Sequence, residues 1–560
     1  MTAVVRALVF ALLASVAVSG LVGAAGPGFA GPGAPDRADN GTDAGPPVDI
    51  TAVYPNPVAD GDSGEFVVLR ARERTALGTY TVADDDGRAA LPNVTVEGHV
   101  ALSPTPNRTR NRTDARVVRA ELPRFANTGE RVTLRRNGHV VATLTYADAP
   151  EGELARPADG GSGWHPLGAT DRPVVTADGG TVRPFVLPDA PAVPLATVRD
   201  ADDRLLLAGY TLTSERIVTT LANASRRGVA VSVLVDAAPV GGLTRREAAA
   251  LDRLVAANVS VRVLGGDRAR YDFHHAKYAI VDDRALVTTE NWKPAGTGGH
   301  SSRGWGVVVG QQEVVAGLVE TFRADAGWRG ATDWRSFRRG RSFEPAAAAP
   351  ANGTFPSRFE PRRVRAERVE LLVAPDNAER RLVALLDEAD DSIRIEQVSV
   401  GSRHQPFLRA ALRAARRGVD VRILLSSAWY VEEENRRLVR WLNDRAARED
   451  LPLEAELAEP NNRFEKVHAK GVVIDGEQVV IGSLNWNNNS ARDNREVALV
   501  LHGEAVAGYY AAVFDADWEG GIRRLPAGLA AAVLLAALVT VAVARRIEFG
   551  GRKGVGPERR

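Results

Sequence analysis

Two stretches of the sequence carry the same three chemically capable residues at the same spacing. A histidine, a lysine two positions later and an aspartate five positions after the lysine occur twice, 193 residues apart: His275, Lys277 and Asp282, then His468, Lys470 and Asp475. An imidazole changes protonation state near neutral pH, and a compact ammonium group stabilises anionic oxygen. Only five of the 560 residues are lysines, and four of these lie in or near the two stretches. The duplication predicts one active site that takes a histidine and a lysine from each stretch.

This set of side chains suits an attack on a phosphodiester. One imidazole must be neutral to attack phosphorus, whereas the other must be protonated to neutralise the departing alkoxide. On a strand, His275 and Lys277 project from one face and therefore face the substrate, whereas Asp282 projects elsewhere or lies in the following turn and supports them. After the second copy, the tight turn at Asp475-Gly476 returns the next strand to the histidine-lysine pair.

The segments that follow the motifs also correspond. Gly482-Ser483-Leu484-Asn485-Trp486 in the second copy matches Thr288-Thr289-Glu290-Asn291-Trp292 in the first. With the two motifs, these segments resemble the phospholipase D superfamily over residues 190–520. The resemblance implies a duplicated α/β fold of two fused sheet-and-helix halves, an active site formed within one chain, no metal ion and no cofactor.

The resemblance also assigns roles to individual residues. His275 would form a phosphohistidine intermediate and His468 would act as acid and then as base, with both lysines and both motif aspartates in the catalytic group. The substrate-binding group comprises Thr289, Asn291, Ser483, Asn485 and Glu496.

The first half departs from the family pattern. In the family, a downstream carboxylate orients the histidine of the opposite half, so Glu496 would orient His275. The aligned place in the first half is Gly306, which leaves His468 without an acidic partner unless another residue reaches it. Thr288 adds bulk beside the phosphate where the second half has glycine. These differences predict reduced or narrowed activity.

The internal repeat extends beyond the motifs. Arg226-Arg227-Gly228 recurs as Arg416-Arg417-Gly418, each time after an amphipathic helical stretch and before an apolar strand. Each half reads as strand, helix, strand, helix and two motif strands, which favours parallel pairing. The predicted boundaries are 190–338 and 366–520 for the halves, with linkers at 151–189 and 339–365.

Residues 48–150 predict a small all-β domain, because short alternating segments are separated by turn residues and Asn137-Gly138 is a strong hairpin signal. The stretch from Ile50 to Pro57, together with Gly64-Glu65-Phe66-Val67 and Gly129-Glu130-Arg131-Val132, resembles the lamin tail domain, an immunoglobulin-like sandwich. Such a domain would bind or position an unknown ligand, or would act only as a spacer.

The chain ends predict export and anchoring. Residues 1–30 read as a signal peptide, and 31–47 as a flexible spacer. Residues 525–544 are uncharged and long enough to form a transmembrane helix, and the basic tail at 545–560 would lie in the cytoplasm. The catalytic body would then lie on the outer side of the cell membrane.

Composition narrows the function without naming a substrate. The chain has no cysteine, which excludes thiolate chemistry and disulfides, and its formal net charge is only +1. A phospholipid substrate is the first hypothesis, and an extracellular nuclease with the same site is the alternative. A third reading is a degenerate protein that only binds phosphate-bearing surfaces, suggested by Gly306 and Thr288.

Overall fold

The fold is known from a computed structural model, which describes residues 46–520 apart from 58–63, 111, 114, 159–160, 267–268 and 347. The predicted signal peptide at 1–30 and the predicted transmembrane helix and tail at 525–560 lie outside these residues.

The first domain is a sandwich of two sheets that enclose one apolar core. In spatial order the larger sheet contains β10 (Gly161–Pro166), β9 (Glu153–Ala158), β1 (Val48–Tyr54), β2 (Phe66–Ala76), β5 (Thr95–Ser103) and β6 (Arg116–Arg119). The smaller sheet contains β4 (Arg88–Ala90), β3 (Tyr80–Ala83), β7 (Gly129–Arg136) and β8 (His139–Ala147), and a short helix α1 (Pro106–Thr109) follows β5.

The sandwich prediction is confirmed in its strands and in its hairpin. Glu130, Val132 and Leu134 alternate inward along β7, as a half-buried strand requires. Asn137 and Gly138 join β7 to β8 with positive φ angles of 49° and 86°, which these residue types adopt readily. Kinship with the lamin tail domain stays a prediction.

In the part of the chain that the structure describes, the first half of the second domain contains eight strands and five helices. The strands are β11 (Val175–Leu187), β12 (Arg204–Gly209), β13 (Ala230–Asp236), β14 (Ser260–Leu264), β15 (Tyr278–Val281), β16 (Arg284–Thr288), β17 (Ser302–Val309) and β18 (Ala331–Asp333). The helices are α2 (Ala192–Arg199), α3 (Glu215–Arg226), α4 (Arg245–Ala256), α5 (Gln312–Gly327) and α6 (Trp334–Arg338).

The second half repeats this order. Its strands are β19 (Val364–Ala374), β20 (Ser392–Gln397), β21 (Asp420–Leu425), β22 (Leu453–Leu457), β23 (Lys466–Val467), β24 (Gly471–Ile474), β25 (Gln478–Gly482) and β26 (Glu496–His502). Its helices are α7 (Ala378–Asp387), α8 (Pro406–Arg417), α9 (Glu432–Glu449) and α10 (Glu504–Trp518). Gly418 ends α8 with a φ of 102°, which confirms the Arg-Arg-Gly pattern as a helix stop.

Both halves contribute to one mixed sheet of sixteen strands. The order is β18-β14-β13-β12-β15-β16-β17-β11-β19-β26-β25-β24-β20-β21-β22, with β23 beside β17. Among the described residues, pairing in this sheet is parallel within β12-β13-β14, within β20-β21-β22 and between β17 and β23. The motif strands pair antiparallel instead, because the short turns after β15 and β24 form hairpins.

Two predictions about organisation need correction. Residues 151–189, expected to be an irregular linker, contain β9 and β10 of the sandwich and β11, which lies at the centre of the large sheet. The fold class also included a C-terminal transmembrane helix, with a membrane-anchored location. The predicted transmembrane helix and membrane anchoring are wrong: no helix within the described ranges is both long and apolar enough to cross a membrane.

Two buried arginines connect the halves at equivalent positions. Arg303 on β17 pairs with Asp189 after β11 at 2.5 Å and with Asp517 on α10 of the other half at 2.7 Å. In the second half, a residue at the start of β26, Arg495, pairs with two aspartates in the same way: Asp376 at 2.7 Å and Asp325 on α5 of the first half at 3.0 Å. Removing one member leaves buried charge unpaired.

The Arg495→Ala substitution should therefore lower the free energy of unfolding by about 3–5 kcal/mol, measured by urea denaturation. Arg413→Ala is the matched control, because Arg413 pairs with Asp387 on the surface and such pairs contribute about 0–1 kcal/mol. Equal losses in the two variants would contradict the anchoring role.

Candidate active site between the two halves

Each motif histidine is held by the backbone of the opposite half. The His275 N–H donates to the Arg495 carbonyl at 3.0 Å, and the His468 N–H donates to the Arg303 carbonyl at 2.9 Å. β23, immediately before His468, pairs in parallel with β17 of the first half. The two motifs therefore lie at one junction, and neither half can position its histidine alone.

His275 is oriented by the carboxylate that the sequence predicts. Its Nδ1 lies 2.9 and 3.0 Å from the two carboxylate oxygens of Glu496. In this geometry Nδ1 carries the proton and donates it in a hydrogen bond to the Glu496 carboxylate. The lone pair of Nε2 is therefore free. Burial lowers the pKa of His275 to about 4, although Glu496 acts in the opposite direction. The imidazole is therefore neutral at pH 7.

Glu496 is buried and held in place by further donors. Ser490 donates its hydroxyl at 2.9 Å and Asn494 its amide at 3.2 Å to the same carboxylate oxygen. Burial alone would raise the pKa of Glu496, but the charge and hydrogen bond of His275 and the charge of Lys277 lower it. Glu496 is thus a fixed, ionised partner.

His468 also has an acidic partner, which the sequence comparison missed. Its Nδ1 lies 3.2 Å from Oε2 of Glu290, a buried residue two positions after the end of β16. Burial raises the pKa of Glu290 to about 7, against the lowering effect of nearby lysines. Glu290 Oε1 has no hydrogen-bond partner among the described residues. Glu290 is therefore the residue that reaches His468, and the alignment of Gly306 with Glu496 did not identify it.

Strand register explains the error. Gly306 pairs with Thr288, and Ala498 pairs with Gly482, so the place equivalent to Glu496 is Gly304. A Cβ atom at Gly304 would collide with Cγ of Glu290. In the first half the carboxylate therefore lies near the end of the neighbouring strand, where the second half has Leu484, and its side chain occupies the space beside Gly304. The sequence did contain a signal for this partner. The first half has Glu290 where the second half has Leu484, and Gly304 where the second half has Glu496.

The two lysines make the junction cationic. Lys277 and Lys470 are buried, and each donates to the backbone carbonyl of its own motif histidine, the second at 2.8 Å. Burial lowers both pKa values, that of Lys470 to about 8, and the charge of Lys470 contributes to the lowering at Lys277. Burial and the charges of both lysines lower the pKa of His468 well below its usual range. Such a pocket favours an anion.

The motif aspartates lie away from this pocket. Asp282 accepts backbone N–H groups of Asp202, Asp203 and Arg204 at 2.8–3.0 Å, at the far end of β15 from Lys277. Burial acts to raise the pKa of Asp282, but these donors lower it. Asp475 makes the equivalent bonds to residues 390–392. Both aspartates fix the start of a neighbouring strand, which agrees with the supporting role.

The predicted substrate-binding residues divide into two groups. The Thr289 and Ser483 hydroxyls accept the N–H of the facing strand at 3.0 Å, so they brace the sheet. Asn291 and Asn485 are only partly buried, and Asn291 Oδ1 has no hydrogen-bond partner in the described part of the chain. The asparagines remain available to a substrate, whereas the hydroxyls are already engaged.

One aromatic residue at the site was not anticipated. The ring of Tyr210, just after β12, contacts the His275 ring edge-on with centroids 4.7 Å apart, and Lys277 Nζ lies 5.4 Å from the tyrosine ring. Within the described ranges, no group of three or more histidine, aspartate or glutamate side chains converges as a metal site would.

Comparisons with known proteins give a family. The model of the "cardiolipin synthase, PLD-like domain" family matches residues 195–326 and 382–518, one segment in each half. No curated protein matches the chain.

Several solved structures are similar at low identity. Phosphatidylserine synthase from Haemophilus influenzae is 12% identical, with 61% of this chain and 86% of that chain covered and a TM-score of 0.45. The phospholipase D family member Nuc from Salmonella typhimurium is 20% identical, with 28% and 98% covered and a TM-score of 0.25. Polyphosphate kinase from Porphyromonas gingivalis is 13% identical, with 60% and 50% covered and a TM-score of 0.40. The family match contains both histidine-lysine pairs, and the chain belongs to the phospholipase D superfamily.

Proposed function

We propose that the protein cleaves or transfers phosphodiesters through a phosphohistidine on His275, and that its substrates are phospholipids. The observation that carries the proposal is the crossed arrangement of the site: His275 on Glu496 and His468 on Glu290, around two buried lysines. A single phosphate between the halves would contact both imidazoles.

The first step is attack of His275 Nε2 on phosphorus. The Nδ1–H group of His275 donates to Glu496, so the Nε2 lone pair points away from the carboxylate. The carboxylate also stabilises the positive charge that grows on the imidazole. The P–N bond forms as the P–O bond to the leaving group breaks. His468 gives its proton to the departing alkoxide, and the ammonium groups of Lys277 and Lys470 stabilise the non-bridging oxygens.

The second step reverses the role of His468. The neutral imidazole takes a proton from water, whose oxygen attacks phosphorus and releases His275. An alcohol in the place of water gives transfer to a new ester. Substrate itself assists the first step, because the negative phosphate offsets the lysine charges that lower the pKa of His468.

The asymmetry of the carboxylates supports this assignment of roles. Glu496 is ionised and accepts hydrogen bonds from three side chains, as a fixed partner of a nucleophile should. Glu290 has a pKa of about 7, so it and His468 share one proton below neutral pH. A pair that gains and loses a proton near pH 7 suits an acid that later becomes a base.

Two observations favour a lipid substrate. The family model that matches both halves is described as that of cardiolipin synthase. Three consecutive glutamates, 432–434, begin α9, whose preceding loop lies beside the His468 segment, and the arginines that follow pair with the first two, so this segment offers no surplus of positive charge to a long phosphate chain.

A nuclease is the second candidate. It is favoured by a groove of about 600 Å³ between α8 and α9 that five arginines line: Arg403, Arg409, Arg413, Arg416 and Arg445. Three of them already pair with Asp387 or Glu449, which leaves less charge for a nucleic acid. A nuclease would lose affinity steeply as salt is raised.

The nucleophile can be trapped with bis(p-nitrophenyl) phosphate, whose leaving group needs no proton. His468→Asn should release about one equivalent of nitrophenolate and keep an acid-labile phosphoryl group on His275, because the base for the second step is missing. His275→Asn should give neither burst nor label. His404→Asn, at an exposed histidine, is the control and should match the wild type. A label on His468 in the His275→Asn variant would reverse the assignment.

The carboxylate of Glu290 can be transferred to position 304, which is equivalent to Glu496 of the second half. Glu290→Leu should lower the kcat on a phosphodiester with an alkyl leaving group by about a hundredfold, which corresponds to about 3 kcal/mol. The double variant Glu290→Leu/Gly304→Glu copies the second half and should recover at least tenfold. Unchanged kcat in Glu290→Leu would show that His468 does not depend on a carboxylate, and no recovery in a double variant that unfolds like the wild type would contradict the equivalence of positions 304 and 496.

The pH profile of kcat/KM should be bell-shaped. His275 must be neutral, so activity falls as pH drops toward about 4. The pair of Glu290 and His468 must hold one proton, so activity falls as pH rises through about 7. In Glu290→Gln the upper limb should shift to lower pH, because only the lowered pKa of His468 remains. An unshifted upper limb in this variant would contradict the shared proton.

A further inference from the structure

Most of the exposed large apolar side chains lie in two loops. Among the described residues four are exposed: Val140 (50%), Val240 (81%), Trp429 (87%) and Tyr430 (45%). The last three lie in two loops, one after β13 and one after β21, and we call these three residues the apolar rim. Exposed apolar groups at one site indicate an interaction surface.

The two loops are equivalent in the duplicated fold. β12 pairs with β13 up to Gly209 and Val235, and β20 pairs with β21 up to Gln397 and Leu425. Val240 and Tyr430 each come five residues after the end of that pairing. Parallel strands end at the same edge of the sheet, so both loops leave the edge at which the motif lysines lie.

The rim touches the active site from both halves. The Val240 N–H donates to the Tyr210 hydroxyl at 2.5 Å, and the Tyr210 ring lies against His275. In the other half, Tyr430 contacts Trp429 edge-on at 5.6 Å, and Lys466 Nζ lies 5.3 Å from the Tyr430 ring. Lys466 is two residues before His468. The mouth of the site is therefore bordered by apolar groups contributed by each half.

We propose that the apolar rim docks the active-site mouth on the surface of a phospholipid bilayer. This inference rests on the proposed function and narrows the substrate to phosphodiesters presented in a lipid surface. Trp and Tyr are the residues that prefer the boundary between water and hydrocarbon, and a neighbouring ammonium group can remain among the head groups.

The chemistry of the rim fits lipid better than nucleic acid. A base-stacking platform needs flat faces and positive charge, but Val240 has no flat face. The residues that follow Tyr430 are acidic, and Glu432 and Glu433 are paired along α9 with Arg436 and Arg437. The rim thus lacks a surplus of positive charge, and a zwitterionic surface is its best match.

The test compares the double variant Trp429→Ser/Val240→Ser with Val140→Ser, a matched control on the sandwich hairpin. Binding is measured by co-sedimentation of the full chain with phosphatidylcholine vesicles, in a His275→Asn background so that turnover cannot interfere. The double variant should bind at least tenfold more weakly, because two exposed apolar side chains lose their burial in lipid. Val140→Ser should bind like the parent.

Activity gives the second readout. With His275 intact, the ratio of the rate on phosphatidylcholine vesicles to the rate on bis(p-nitrophenyl) phosphate should fall at least tenfold in the double variant and stay constant in Val140→Ser. Unchanged vesicle binding would overturn the proposal, as would loss of single-stranded oligonucleotide binding without loss of vesicle binding. If the wild type turns over no phosphodiester, the proposed function fails, but vesicle binding still decides the role of the rim.

Discussion

The structure depends on an exchange of contacts between two duplicated halves. Each motif histidine takes its backbone hydrogen bond from the opposite half, at Arg495 for His275 and at Arg303 for His468. Each also takes its carboxylate partner from the opposite half. Because the opposite half supplies the contacts that fix the position, orientation and charge of each histidine, the site exists only when the halves are docked. The central strands β17, β11, β19 and β26 make that docking part of one continuous sheet.

Charge burial follows from this arrangement. The residues that supply the crossed carbonyls are themselves buried arginines, and each is neutralised by two aspartates, one of them on a helix of the other half. Buried pairs add little net stability over apolar packing, but a broken pair is costly. The energy landscape therefore penalises a shift of one half against the other. The same register keeps two imidazoles and two ammonium groups around one anion site, where the pKa values of all four are lowered.

The two halves differ in the position that supplies the carboxylate, but in both cases the carboxylate contacts Nδ1 of the opposite motif histidine. The second half places its carboxylate on β26, whereas the first half places it two residues after the end of β16 and has Gly304 at the position equivalent to Glu496. The loss that suggested a degenerate protein is thus offset by a second substitution nearby. The two carboxylates differ in pKa, Glu496 lowered and Glu290 raised to about 7, which fits unequal work by the two histidines. The apolar rim likewise has different residues at equivalent positions, with Val240 in the first half and Tyr430 in the second.

The sequence alone determined the features that local spacing encodes: the histidine-lysine pairs on one face of a strand, the supporting role of the aspartates, the duplication, and the hairpin at Asn137-Gly138. The resemblance to the phospholipase D superfamily predicted Glu496 as the partner of His275. Only the tertiary structure decided the partner of His468, because the equivalence of Gly304 and Glu496 depends on which residues of antiparallel strands face each other. The crossed arginines, the strands within 151–189 and the rim loops were hidden for the same reason. Each depends on contacts between residues far apart in the chain, and hydrophobic periodicity carries no information about those contacts.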